Sequence, residues 1–173
     1  MESYIWEGKI YSLNIKPKDN DARNVILAHI NRMPGTRTRE LLRATGLSNG
    51  SLERYLKILE RSNDVKVKRE KSRMTRYFPR TFTNKECLVI GYMRRNTTRK
   101  ILSFIVEHNN KGTFKQILEH INKTKSTTSW QLNRLKAVNM IYFDNHQYKL
   151  QSDVIKMLDK YKYTISDNIP IHK

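Results

Sequence analysis

The densest chemistry in this sequence is cationic. From 66 to 80 stand seven basic side chains, Lys66, Lys68, Arg69, Lys71, Arg73, Arg76 and Arg80, against a single acid, Glu70. Ammonium and guanidinium groups packed this closely suit phosphate oxygens, which they meet as point charges or as paired hydrogen bonds. A merely solvated face is the competing reading of such a run. Just upstream, Ser51, Arg54, Lys57 and Arg61 recur every three or four residues, so a helix would carry all four on one side. Thr38, Arg39 and Ser48 precede them. A second cluster, Lys123, Lys125, Thr127, Trp130, Gln131 and Arg134, lies further on. The whole chain bears 34 Lys and Arg against 16 Asp and Glu, a formal charge of +18 over 173 residues. That excess favours a polyanionic partner or an anionic surface.

Other chemistries lack their residues. Cys87 is alone, which gives no internal disulfide and no cysteine metal cluster, and fits a reducing compartment. The five histidines, at 29, 108, 120, 146 and 172, have no ligands at metal spacing, and His29 falls on an apolar helix face. Neither a Gly-x-x-x-x-Gly-Lys phosphate loop nor a His-Glu-x-x-His pair occurs, and no two carboxylates suggest acid–base work. No catalytic residue, metal or cofactor is expected. The first residues lack a basic stretch followed by a long apolar run, and all apolar runs are short. The expectation is a soluble, cytoplasmic, nucleoid-associated protein with no membrane partner.

The elements that must position the cations follow from periodicity. Residues 3–15 alternate aromatic and branched side chains around Glu7-Gly8, which suggests a hairpin within an extension over 1–20. Val25, Ile26, His29, Ile30 and Met33 mark a helix that Pro34-Gly35 ends. Thr38 is the expected N-cap of a short helix bearing Leu41 and Leu42, and Gly46 its left-handed stop. Ser48 caps a second helix running to about residue 62, with Leu52, Tyr55, Leu56 and Leu59 inside. Val65 to Lys68 and Arg76 to Phe78 read as strands flanking a polar loop. Thr83-x-x-Glu86 opens a linking helix, which Gly91 should interrupt.

The pattern then repeats at one constant offset of 76. Ile101, Leu102, Ile105 and Val106 stand where Val25, Ile26, His29 and Ile30 stood. Ile117 and Leu118 match Leu41 and Leu42; Leu132, Leu135 and Ile141 match Leu56, Leu59 and Val65. Such a repeat marks a duplicated unit. The second hairpin, over 141–150, is about five residues shorter and carries only His146 and Lys149, opposed by Asp144, so the second unit reads as the weaker phosphate binder. The repeat turns Trp130 outward, either toward a DNA backbone and thymine methyls or into a domain interface. The expected layout is a unit over 21–83, a linking helix over 84–96, a second unit over 97–151, and a C-terminal helix and tail over 152–173. The apolar stripe Val154, Ile155, Leu158, Tyr161 would either cover the second unit or pair with another subunit.

Thr98-Arg99-Lys100-Ile101-Leu102, the stretch from Ser126 to Lys136, and Met74-Thr75-Arg76-Tyr77-Phe78-Pro79 resemble archaeal winged helix-turn-helix transcriptional regulators that carry two such domains in tandem. The resemblance covers roughly residues 20–162. It implies a mainly α fold with small β-hairpin wings (α+β), a sequence-specific regulator of double-stranded DNA, and no catalysis. Thr128 and Gln131 depart from the group's usual small apolar residue and His, so its base preference does not transfer. Two further functions compete with this one. The second unit could serve protein interaction, with the transcription machinery or in a homodimer through the C-terminal helix or the N-terminal extension. The chain could also coat chromatin or RNA without sequence preference.

Overall fold

The computed structural model describes residues 4–6, 9–11, 19–69 and 74–166. The chain divides into two compact units, Met1–Thr83 and Asn84–Lys173.

In the first unit, β1 (Tyr4–Trp6) and β2 (Lys9–Tyr11) pair antiparallel with Tyr4 opposite Tyr11. The turn expected at Glu7-Gly8 lies outside the described residues. The order then runs α1 (Asp19–Arg32), β3 (Thr36–Arg37), α2 (Thr38–Thr45), α3 (Asn49–Arg61), β4 (Val65–Arg69) and β5 (Thr75–Pro79). The three later strands form an antiparallel sheet ordered β3-β5-β4. Helix, strand, two helices and a two-stranded wing make a winged-helix unit. Ile26, Ile30, Leu41, Leu52, Leu56 and Leu59 form its core, each almost fully buried. Each such side chain contributes about 1.5–3 kcal/mol by leaving water.

The second unit opens with α4 (Asn84–Met93) and then repeats the order: α5 (Asn96–Glu107), β6 (Lys111–Gly112), α6 (Phe114–Ile121), α7 (Lys125–Ala137), β7 (Ile141–Asp144) and β8 (Gln147–Leu150). Its sheet order, β6-β8-β7, has the same arrangement as the first. Adding 76 to the bounds of α2 and α3 gives those of α6 and α7. The chain is thus mainly helical with small antiparallel hairpins, an α+β fold of winged-helix type.

Several sequence expectations shift. Arg37, not Thr38, precedes the first helical residue of α2; the Glu40 carboxylate accepts from the Arg37 backbone N–H at 3.2 Å and from the Thr36 hydroxyl at 3.0 Å. Helix α4 runs through Gly91 without interruption, and Gly91 is buried within it. Instead of standing free as a link, α4 packs on α5 and α8 and sends Val89 and Tyr92 into the second core. The α8 helix (Ser152–Ser166) buries Val154, Leu158 and Tyr161 in the same unit. Ion pairs Lys85–Asp153 and Lys160–Glu86, and a hydrogen bond from the Tyr161 hydroxyl to Glu86 at 2.6 Å, join α4 to α8. Of the stripe Val154, Ile155, Leu158 and Tyr161, three side chains thus cover the second unit, while Ile155 is half-buried. Strands β3 and β6, two residues each, were too short to leave a periodic trace.

Gly112 sits where β6 passes the ring of Phe104; a Cβ there would lie 2.9 Å from Phe104 Cε1. That ring is stacked on His108 at 3.9 Å between centroids, which leaves it little room to move. Gly112→Ala is expected to destabilise the second unit by about 1–3 kcal/mol, measured by denaturant unfolding, and Phe104→Leu in the same chain should restore part of the loss.

Candidate functional site

Two helices, α3 and α7, each bury one stripe and expose the other. What aims them is a matched pair of turns. Gly46 takes φ 65° after α2 and donates its N–H to the Leu42 carbonyl; Asn122 takes φ 49° after α6 and donates to Leu118. Asn tolerates this left-handed region better than most residues because its short amide bonds locally. Two residues on, Ser48 and Thr124 cap the next helix: each side-chain oxygen accepts from a backbone N–H, that of Ser51 at 3.3 Å and Thr127 at 3.2 Å. Their hydroxyls donate in turn to Ser51 Oγ and Thr127 Oγ1, both at 2.9 Å. Satisfying these otherwise orphaned donors fixes the start of the helix.

On α3 the outward residues are those the spacing placed there: Ser51, Arg54, Lys57 and Arg61 are all exposed, as are Ser48 and Arg39 nearby. Arg54 lies over the Tyr55 ring at 5.8 Å. Ile58, 38% exposed, adds an apolar spot, and Glu53 an acid, to the same surface. Thr38 is half-buried with its hydroxyl 3.5 Å from that of Tyr77.

The first wing is less basic at its surface than its sequence. Arg76 is 1% exposed, and its guanidinium donates to the Gly35 carbonyl at 2.7 Å. The sequence reading of Arg76 as a phosphate contact is therefore corrected: β5 is the middle strand of its sheet and is buried from Arg76 to Pro79, and the Arg76 guanidinium is taken by the carbonyl of Gly35. Lys66 donates to the Phe82 carbonyl. Arg69 forms a two-point pair with Glu60 of α3, both bonds 2.7 Å, which clips β4 to the helix. Lys68 is exposed; Lys71 and Arg73 lie outside the described residues. A groove of about 250 Å³ runs between α2, α3 and the wing, lined by Thr38, Lys57, Glu60, Arg69 and Tyr77 among others.

On α7 the charge is differently composed. Lys123, Lys125 and Trp130 are exposed, and the helix contains no acid. Trp130 occupies the place of Arg54 and is 57% exposed. Thr127 is half-buried in the capping network. Gln131 takes the place of buried Tyr55 and is half-buried, with its side-chain oxygen enclosed. Arg134 is also half-buried. Its Nε–H donates to the Tyr92 hydroxyl at 3.1 Å, and its guanidinium lies 5.3 Å from the Tyr92 ring and 5.2 Å from Trp130. Arg95 covers Tyr92 at 4.6 Å. Tyr92 and Arg95 had no trace in the sequence pattern, since they meet Arg134 only through the packing of α4. In the second wing Lys149 is paired with Asp144 at 2.6 Å, and the two-residue turn Asn145-His146 has positive φ at both positions.

Among the described residues no three His, Cys, Asp or Glu side chains gather to hold a metal, and no helix is long and apolar enough to cross a membrane. No protein-family model matches the chain, and no curated protein does. Among solved structures it is similar to the mRNA-binding domain of elongation factor SelB from E. coli in complex with SECIS RNA, with TM-score 0.31, 8% identity, and coverage of 76% of this chain and 98% of that one. It is also similar to the Nse1-Nse3-Nse4 complex, with TM-score 0.35, 13% identity, and coverage of 87% and 77%. Likenesses this weak carry no argument; the winged-helix order is read from this chain's own elements.

The Arg69 hydrogen bonds hold the Glu60 carboxyl below the usual range. A depressed carboxylate stabilises the fold above its unfolded pKa, and that contribution is lost as pH falls through the folded value. The pair is exposed, so its share is about 0–1 kcal/mol. In a carbon-detected NMR titration Glu60 should protonate at lower pH than in Arg69→Ala; coincident curves would dissolve the clip.

Proposed function

We propose that this chain binds double-stranded DNA, with its first winged-helix unit as the anchor, and acts as a transcriptional regulator. The observation that supports it is the outward face of α3. Four polar or cationic side chains, Ser51, Arg54, Lys57 and Arg61, stand exposed while Leu52, Leu56 and Leu59 anchor the opposite side. A helix of this kind fits the major groove, where its outer side chains meet base edges. Arg54 carries the two-point donor fork that guanine O6 and N7 accept. Lys57, Arg61, Arg39 and the wing's Lys68 supply charge to phosphates, which position the helix without reading sequence. The net charge of +18 gives long-range attraction to DNA. The resemblance to tandem archaeal regulators supports a role in transcription, in the cytoplasm and without catalysis.

With Arg76 buried and Arg69 clipped, about four phosphates are neutralised by the first unit, so affinity should fall on the order of a hundredfold from 50 to 200 mM salt. Anisotropy titrations with a labelled duplex test this, and near-equal dissociation constants would overturn it. Arg54→Ala should cost about 1–3 kcal/mol and relax selectivity at one base pair, whereas Lys57→Ala should weaken all duplexes alike. A genome-wide binding profile separates discrete promoter sites from even coating, and only the former fits a regulator.

A further inference from the structure

The two outward helices differ at one matched position, Arg54 on α3 and Trp130 on α7. An indole cannot replace a guanidinium as a reader of guanine, because it has one N–H donor and no fork. What it offers instead is a broad π face, and this one is 57% exposed. It is also held. Arg134 lies against it at 5.2 Å, and Arg134 is fixed by the hydroxyl and ring of Tyr92, which is 6% exposed and rooted in the core of its unit. Arg95 lies over the same tyrosine ring at 4.6 Å. The column Arg95–Tyr92–Arg134–Trp130 alternates cation and ring and ends on an indole open to solvent. An aromatic side chain ordered before binding loses little freedom when a partner arrives.

The charge around it selects that partner. The α7 helix carries Lys125, Arg134 and Lys136 with no acid, and Lys123 stands just before it. A flat aromatic face on a helix that carries cations and no acid is complementary to a nucleobase with its phosphates. In a duplex the base faces are occupied by their neighbours in the stack, and only an unpaired base leaves one free. We infer that α7 is a stacking site for an unpaired base of single-stranded nucleic acid, with Trp130 as the platform, Arg134 and Tyr92 as its positioning residues, and Lys123 and Lys125 on the adjoining phosphates. This deepens the reading of the chain as a nucleic-acid binder. It gives the second unit a different substrate from the first, the single strand rather than the duplex groove.

The test uses the full chain carrying Trp6→Phe, so that Trp130 is the one remaining tryptophan. Titration with single-stranded oligodeoxynucleotides and oligoribonucleotides of about 12 nucleotides should quench its emission, and the two arms distinguish DNA from RNA. Trp130→Ala, on a chain shown to remain folded by circular dichroism, should weaken single-strand binding about tenfold, with Trp130→Phe losing less. Duplex affinity, measured beside it, should fall by clearly less than single-strand affinity under Trp130→Ala. Unquenched emission at saturation overturns the inference, and so does unchanged single-strand affinity. A loss confined to duplex binding, or to association with a protein, also overturns it. Arg54→Ala is run in parallel on duplex alone: if it has no effect the major-groove reading of α3 fails by itself, whatever Trp130 does.

Discussion

Everything outward-facing here depends on a left-handed residue followed, two positions later, by a hydroxyl cap. Gly46 with Ser48 and Asn122 with Thr124 end one helix and start the next within three residues. The reversal is so short that the second helix has one orientation available. Its leucine stripe must then face the core, and the opposite stripe must face water. Loss of a cap costs about 1 kcal/mol of helix stability, but the larger effect is on direction, since a frayed first turn carries Ser51 or Thr127 out of place.

Much of this was legible in the sequence because it was local. Apolar spacing located the helices, and Gly46 and Ser48 announced their turn. The constant offset carried the assignment into the second copy, where Asn122 is a weaker signal than Gly. What could not be read was pairing across distance. Nothing in the residues of β5 shows that Arg76 should be buried, and Glu60 meets Arg69 only once the strand has folded back on α3. The packing of α4 was hidden for the same reason: its buried face is visible, but its partners, α5 and α8, are not named by its own residues.

Counting cations in a sequence therefore overstated the first wing. In the wing, burial, a backbone carbonyl and a carboxylate each take one basic group out of play. On α7 the absence of acids leaves the cations opposed by none on their own helix. The two units share one element order, with the bounds of α2 and α3 recurring 76 residues on in α6 and α7, while their exposed positions differ, so one fold presents two chemistries.

The junction of α4 with α8 has a consequence for how the molecule is made. Glu86 and Tyr161 meet across 75 residues of sequence, while in the first unit the side-chain ties Arg23–Asp64 and Arg76–Gly35 each span 41. Contacts so distant along the chain form only after a larger loop has closed, which costs entropy in advance and slows folding. During synthesis the first unit has all its partners as soon as its wing has emerged. The second must wait for α8, which packs on α4 and brings the partners of Lys85 and Glu86.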